Sequence, residues 1–496
     1  MAAGSHVAAV SGNDAADFLC DLLAGVSPLA QARALRATSQ ENLYHIAAQT
    51  TTLHDRKFIL MSTALASEQL QSLSKHRDCS FALSKFGCRI LRQQFLKRLE
   101  SLTDGQIRII DPLGTATLGT SSDLQTTLQV HKTAFFRHAV LGGSLSVAES
   151  YMRGDWDCDD LTSLFRIFVR NTQAMDRLNS GVSRIAGFFN RLYHRWHANS
   201  KSGSQRNIHA HYDLGNDFFQ LILDETMAYS SGIFLKPDST LQEASVEKMD
   251  RLCRKLDLQP SDHLLEIGTG WGGLAIHAAS KYACRVTTTT ISQQQYEVAR
   301  QRIAAAGLTD RVTLLLQDYR DLAGKFDKLV SVEMIEAVGH QFHDTYFQKC
   351  SELLKPDGTL VLQAIVMPDQ RYPQYLRSVD FIQRYVFPGG CLTSMKTMLD
   401  STTRATDLRF VHAEDFGTHY AQTLREWRKR FHANLKAVRE LGYPDRFIRM
   451  WDYYLSYCEA SFDERYTGVV QIQFDKPQCQ RDTITIGSNA ATGNLR

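Results

Sequence analysis

Two kinds of residue in this chain could do chemistry together: carboxylates that follow apolar runs, and glycines that follow the carboxylates. Leu264-Leu265-Glu266-Ile267 leads into Gly268-Thr269-Gly270-Trp271-Gly272-Gly273, and helix-like Leu274 to Ser280 comes next. The pattern predicts a buried parallel strand turning through a tight loop into a helix. Glycines let backbone approach a ligand with no side chain in the way. The helix start offers free N–H groups and a partial positive charge. Gly268, Gly270 and Gly273 satisfy G-x-G-x-x-G, a pattern shared with dinucleotide sites. A dinucleotide site wants an acid about 20 residues on, at the end of the second strand. The second strand here, Val286 to Ser292, has none. The acid stands before the glycines, at Glu266, where it suits an amino-bearing, cationic ligand better than a pyrophosphate. The chemistry expected is therefore that of an S-adenosylmethionine (SAM) site, against a nicotinamide site or a purely structural glycine turn.

Elements that could position such a site alternate from about 207 to 477. Strands are expected at Leu264–Ile267, Arg285–Ile291, Val312–Leu316, Lys328–Val332 and Thr359–Ile365, with helices between them. This predicts a doubly wound α/β domain with a mostly parallel sheet. Later strands at Phe410–Glu414 and Val469–Phe474 flank a helical block at about 421–460, which suits an antiparallel edge. In an open α/β sheet the ligand lies outside the carboxyl ends of the strands. Those ends supply Glu266 to Gly273, then Thr290, Ile291 and Gln295, then Asp318 and Tyr319. They also supply Glu333 to His340, and Gln363 to Ile365. An Asp followed by an aromatic, as in Asp318-Tyr319, can bond an adenine amino group and cover its ring.

The totals bound the rest. At 496 residues, with 43% hydrophobic and 22% charged, several packed domains are expected. A net charge of +3 does not argue for nucleic acid, and no apolar run approaches a membrane span. Met1 to Gly12 lacks the pattern of a secretory signal, and the ten cysteines contain no C-x-x-C, so reduced thiols in the cytoplasm are expected. Residues 1–100 read as an extension without recognisable chemistry, with helical spacing at Phe18–Leu23 and Arg89–Leu99. Residues 105–170 read as a small α+β domain, with strands at Gln106–Ile110, Thr115–Leu118 and Leu124–Val130. Helices at Thr133–Val140, Ser146–Met152 and Leu161–Val169 complete it. Its acidic cluster Asp155, Asp157, Asp159 and Asp160 reads as loop and helix cap rather than metal site. Residues 171–206 pair apolar residues at helical spacing with Arg177, Arg184, Arg191, Arg195, Lys201 and Arg206. That is the signature of a helix lying on an anionic lipid surface, or of a helix packing one domain on another. The tail 478–496 reads as disordered. His209, His211 and His340 lack a third ligand at metal spacing, so no metal is expected.

Several of these segments together resemble the cyclopropane fatty acid synthase family. They are His211-Tyr212-Asp213-Leu214-Gly215-Asn216-Asp217, Tyr229-Ser230, Glu266 to Gly273, Leu316 to Leu322 and Tyr385 to Leu392. The resemblance covers about 105–477, in order. It implies a seven-stranded Rossmann-like methyltransferase domain that delivers the SAM methyl to a cis double bond of a phospholipid acyl chain, closing a cyclopropane ring. It also implies SAM contacts from Tyr229, Ser230, Glu266, Gly268, Gly270, Gly272, Thr290, Ile291, Gln295, Asp318 and Tyr319. In the family a bound bicarbonate removes the proton. By position its holders would be Ser231, Glu336, Gln363, Ile365 and Tyr420, and Tyr212 and Cys458 match residues tied to catalysis. The family's usual Cys is Ser231 here, its usual His after the fifth strand is Gln363, and the usual His after the catalytic Glu is Ala337. Gln363 can hydrogen-bond but cannot titrate. Cys458 stands in Tyr453-Tyr454-Leu455-Ser456-Tyr457-Cys458, a setting that reads as buried packing with no cation to activate a thiol.

An alkene is a feeble nucleophile, so catalysis must come from positioning and charge stabilisation. Aromatic faces suit the cation formed, and Tyr212, Tyr229 and Tyr385 are the candidates. The expected protein is a cytoplasmic enzyme, peripheral on an anionic membrane, acting on unsaturated phospholipid. Alkene methylation or methylenation, a small-molecule amine N-methyltransferase and a non-catalytic lipid-surface protein are the alternatives. The head group, double-bond position and oligomeric state, monomer or homodimer, stay open.

Overall fold

The computed structural model describes residues 85–120, 123–172 and 215–480. The extension before residue 85, most of the basic 171–206 segment, Tyr212 and the tail from 481 lie outside the described residues. All described residues but Lys85 belong to one unit, Phe86–Arg496.

The small domain forms β1 (Gln106–Asp111), β2 (Gly114–Gly119), β3 (Gln125–Val130) and β4 (Trp156–Cys158), in the order β2-β1-β3-β4. The three-residue β4 is too short to leave an alternating pattern and is not among the expected strands. The helix Lys85–Leu99, expected within the extension, instead inserts Phe95 and Leu99 into this domain's core. Phe95 meets Phe135 edge-on at 5.2 Å. This helix therefore belongs with the small domain, because Phe95 and Leu99 are covered by that domain's core. The expected pair of helices after β3 is one element, Ala134–Met152, broken at Gly143, whose φ of 64° is left-handed. Each member of the acidic cluster has a partner: Lys132 for Asp155, His131 for Asp157 and Thr126 for Asp159. Asp160 caps the helix Leu161–Arg170 by accepting from the Ser163 N–H at 3.0 Å.

The second sheet comprises β5 (His263–Ile267), β6 (Arg285–Thr290), β7 (Val312–Leu316), β8 (Phe326–Val332), β9 (Leu354–Val366), β10 (Arg409–Asp415) and β11 (Gly468–Asp475). Their order is β10-β11-β9-β8-β5-β6-β7. Strands β5 to β9 pair in parallel, and β11 runs antiparallel to both β9 and β10. Alternate side chains feed opposite faces. Leu264, Val330 and Val361 pack under the helices Leu241–Lys255 and Gly273–Lys281, whereas Leu265, Leu329 and Leu360 pack under His343–Leu353 and Met395–Ala405. The sheet is thus covered on both sides, as strands with apolar residues at adjacent positions require. The order reverses between β5 and β8, so their carboxyl ends flank the crevice where an open α/β sheet takes its ligand.

The small domain rests on the helix Asp445–Asp463. Arg166 and Arg170 donate to Glu464 at 2.7 and 2.9 Å, and Arg449 donates to the Trp156 carbonyl at 2.7 Å. Arg449 also lies over the Tyr151 ring, 4.0 Å from its centroid. A small apolar cavity of about 100 Å³ lies at this junction, lined by Phe95, Leu128, Trp156, Phe381, Tyr453 and Tyr457 among others. Among the described residues no helix is long and apolar enough to cross a membrane.

Candidate active site

The turn after β5 is built as its glycines require. Gly268, Gly270 and Gly272 have φ of 100°, 52° and 86°, all left-handed. A Cβ on Gly270 would meet nothing within 4 Å, so this glycine faces open space. A Cβ on Gly273 would stand 2.6 Å from the Thr226 carbonyl, so that glycine serves a close approach of backbone. Arg302 pins the turn from outside, donating to the carbonyls of Trp271 at 2.7 Å and Thr226 at 3.1 Å. The open face, the left-handed backbone and the helix start beyond it fit a SAM cradle.

Other expected SAM contacts surround that turn. Thr290 and Gln295 are buried and bonded to each other at 3.0 Å, and Ile291 stands beside them, half-buried. Asp318 is held by Arg320, whose Nε and Nη2 donate at 2.8 and 2.6 Å. Tyr319 packs edge-on against Tyr346 at 5.5 Å. Ser230 accepts from Lys248 Nζ at 2.8 Å. Glu266 is buried within β5. It is 3% exposed and accepts from the Thr288 hydroxyl at 2.6 Å. Burial pushes its pKa up to about 8, against the pull of Thr288 and Lys248. A neutral acid is thus favoured there, and it attracts a cationic ligand less than the sequence pattern implies.

The end of β8 is built differently. Glu333 has a φ of 48°, a left-handed conformation that suits glycine and strains other residues. Its N–H donates to the Gln363 carbonyl at 2.7 Å. Its Oε1 accepts from the Ser231 N–H at 3.0 Å and from Gln363 Nε2 at 2.8 Å. Its Oε2 accepts from the Tyr420 hydroxyl at 2.8 Å. Glu336, three residues on, accepts from the Ile365 N–H at 2.6 Å through Oε1, while its Oε2 is buried without a partner. Burial and then the charge of Glu333 push the Glu336 pKa up to about 8. Burial also lifts Glu333, opposed by its donors and by Lys248. With donors on both of its oxygens, Glu333 is the member of the pair built to carry the charge.

The structure does bring together the five residues expected to hold bicarbonate. Their donors, however, are engaged by the chain itself: Ser231, Gln363 and Tyr420 serve Glu333, and Ile365 serves Glu336. The bicarbonate expectation therefore does not fit this arrangement, because the acceptor positions belong to protein carboxyl groups. The Ser231 hydroxyl turns away to the Gly232 carbonyl, leaving its N–H as the contributing group.

The Tyr229 ring lies 5.0 Å from Phe219 and 5.1 Å from Trp427, and stacks on Phe387 at 6.3 Å. Its hydroxyl is 3.1 Å from that of Tyr454. Tyr385 reaches the small domain instead, where its hydroxyl donates to Glu149 at 2.5 Å. Cys458, matched above to a catalytic position, packs beside the aromatic core. Burial and then Asp380 lift its thiol pKa, so nothing there favours a thiolate and a nucleophilic role is not supported.

Several residues here escaped the reading from sequence. Glu333 was visible as an acid at a strand end, but the resemblance favoured Glu336. Lys248, 3% exposed, and Lys255, fully buried, sit on the apolar face of the helix Leu241–Lys255, among Ala244, Met249 and Leu252. A lysine on the apolar stripe of a helix was the available signal. Lys255 donates to Gln471 Oε1 at 2.8 Å, and Gln471 donates to Gln363 Oε1 at 3.0 Å. This relay leaves the Gln363 amide with its NH₂ toward Glu333.

Known proteins place this geometry. Residues 199–472 match the mycolic acid cyclopropane synthetase family. The tuberculostearic acid methyltransferase UfaA1 of Mycobacterium tuberculosis is 39% identical over 374 residues, 74% of this chain and 86% of that protein. The cyclopropane-fatty-acyl-phospholipid synthase of Escherichia coli (strain K12) is 36% identical over 366 residues, 73% and 91% of the two chains. Among solved structures, the mycolic acid cyclopropane synthase CmaA1 complexed with SAH and CTAB has a TM-score of 0.52 at 31% identity. It covers 55% of this chain and 98% of that one. Similarity on this scale, across more than half of the sequence, leads to one assignment: the chain belongs to the mycolic acid cyclopropane synthetase family and is a SAM-dependent methyltransferase.

Proposed function

We propose that this enzyme transfers methyl from SAM to the cis double bond of an unsaturated phospholipid acyl chain and closes a cyclopropane ring. One observation carries the reading: Phe387 and Trp427 pack on the Tyr229 ring, Tyr229 directly precedes Ser230 and Ser231, and the Ser231 N–H donates to the half-buried Glu333 carboxyl group. Ring faces and a fixed negative charge are what a carbocation needs where water is scarce. Bound SAM supplies an electrophilic methyl and a good leaving group. Thr290, Gln295 and the turn at Gly268 to Gly272 hold it at the switch point, while Tyr229 and its neighbours exclude water. The Escherichia coli relative, named for a fatty-acyl-phospholipid substrate, supports the same substrate class.

A second reading, a methyl or methylene branch in place of a ring, is favoured by the relative named a tuberculostearic acid methyltransferase. Incubation with SAM and unsaturated phospholipid vesicles, followed by mass analysis of the released acyl chains, tests both. A ring and a methylene add the same mass, but only the methylene takes up hydrogen readily. Chains of unchanged mass would refute both readings. Membrane association is part of the proposal and rests on the basic 171–206 segment. Replacing Arg184, Arg191 and Arg195 by Gln should weaken sedimentation with anionic vesicles at low salt. Undiminished sedimentation would remove that surface from the proposal.

A further inference from the structure

We infer that Glu333 is the resident base of this enzyme, its side-chain carboxylate standing in the cradle that the resemblance assigns to a bicarbonate ion. The inference rests on the reaction proposed above. A carboxylate and a bicarbonate share a planar CO₂ unit with two acceptor oxygens. In this chain that unit is covalently attached and receives hydrogen bonds from the Ser231 N–H, Gln363 Nε2 and the Tyr420 hydroxyl, at 3.0, 2.8 and 2.8 Å. The fourth expected donor, the Ile365 N–H, is used by Glu336 at 2.6 Å. A free anion placed among these groups would meet two carboxyl groups and no spare donor from the set. The backbone points the same way. Glu333 holds a φ of 48°, where glycine would be unstrained, so the side chain is kept at some conformational cost. The site is also braced from behind. Lys255 fixes Gln471, and Gln471 fixes the amide of Gln363. Lys248 lies near enough for its charge to act on Glu333.

The step balances as follows. The alkene π pair forms the new C–CH₃ bond while the C–S pair leaves with sulfur, and the neighbouring alkene carbon becomes cationic. A Glu333 oxygen takes one proton from the new methyl group. The freed C–H pair forms the bond to the cationic carbon and closes the ring. Glu333 is left as a carboxylic acid and returns its proton to solvent before the next turnover.

The test uses the full chain in CO₂-scrubbed buffer, with and without added bicarbonate. The wild type should turn over at the same rate in both. Glu333→Gln should keep its fold and SAM affinity and lose about 10²–10⁴-fold in turnover, the usual worth of a general base. Glu333→Gly should relax the backbone, empty the cradle and be inactive until bicarbonate is added, which should restore part of the rate. Binding of ¹³C-labelled bicarbonate, followed by NMR, needs no lipid substrate: the glycine variant should bind it and the wild type should not. A wild type that requires or binds bicarbonate overturns the inference. So does a Glu333→Gln enzyme within about twofold of wild type, or a folded glycine variant that neither binds bicarbonate nor is rescued by it. If the wild type methylates no unsaturated phospholipid, the proposed substrate fails, and the labelled-bicarbonate comparison still decides the role of the cradle.

Discussion

The carboxyl ends of β5 and β8 lie side by side at the switch point, and each follows an apolar strand with a glutamate. Glu266 belongs to β5 itself, is buried and receives a hydroxyl from Thr288. Glu333 stands one residue beyond β8, in a left-handed conformation, and receives two N–H groups and a hydroxyl. Burial alone favours the neutral acid at both places, and the number of donors aimed at the oxygens separates them. Two acids with nearly the same sequence signature thus differ in setting: burial lifts the pKa of both, but one meets a single hydroxyl and the other gathers three donors. Position along a strand marks where chemistry can occur. The donors contributed by distant segments decide which group performs it.

The largest test of this contrast removes the buried cation near both acids. Lys248→Met leaves Glu333, Glu266 and Asp224 without their buried ammonium neighbour. Breaking one partner of a buried charge group costs on the order of 3 kcal/mol, and urea unfolding should show a loss of that size. A loss below about 1 kcal/mol would mean that Lys248 is itself largely neutral in the fold. A smaller effect should follow from Tyr420→Phe, which takes one donor from Glu333 and none from Glu266. Burial, then the charge of Glu333, lifts the tyrosine pKa far above its ordinary value, so its hydroxyl remains a donor. A hydrogen bond to a charged group is worth about 1.5–3 kcal/mol, so turnover should fall by roughly tenfold or more. SAM affinity should hold, and a parallel fall in SAM affinity would place Tyr420 at the cofactor instead.

The smallest effect is a slope. Glu266 and Glu336 each have a folded pKa of about 8, raised from 4.5. Between those values the folded chain keeps protons that the unfolded chain releases, so stability from each group is full below about pH 4.5 and is lost as pH rises through 8. His343, lowered to about 4 chiefly by burial, acts in the opposite sense, so the comparison must be with a variant. The melting temperature of wild type minus that of Glu266→Gln or Glu336→Gln should fall across this range. A flat difference would mean that the group is already ionised in the fold.

Much of the scaffold was legible in the sequence. The mostly apolar runs at 264–267, 328–332 and 359–365 gave the parallel strands, because strands covered on both faces need apolar residues at adjacent positions. Gly143 and Asp160 marked a helix break and a cap through local backbone preference. What failed to show was non-local. The Lys85–Leu99 helix was read with the extension because its spacing does not say which core covers it. Glu336 was favoured over Glu333 because both follow the same strand and resemblance offered only the former.

By itself, the sequence determined the layering of the α/β domain, the glycine turn and the family, since these follow from short-range periodicity and from motifs that are contiguous in the chain. Only the tertiary structure decided which carboxyl group gathers the donors. Ser231, Gln363 and Tyr420 are separated by more than a hundred residues and by 57 residues in turn, and converge on Glu333 only after β9 pairs with β8 and the helix Gly417–Ala433 packs against β11. Hydrogen bonds act over about 3 Å in space, whatever the distance along the chain.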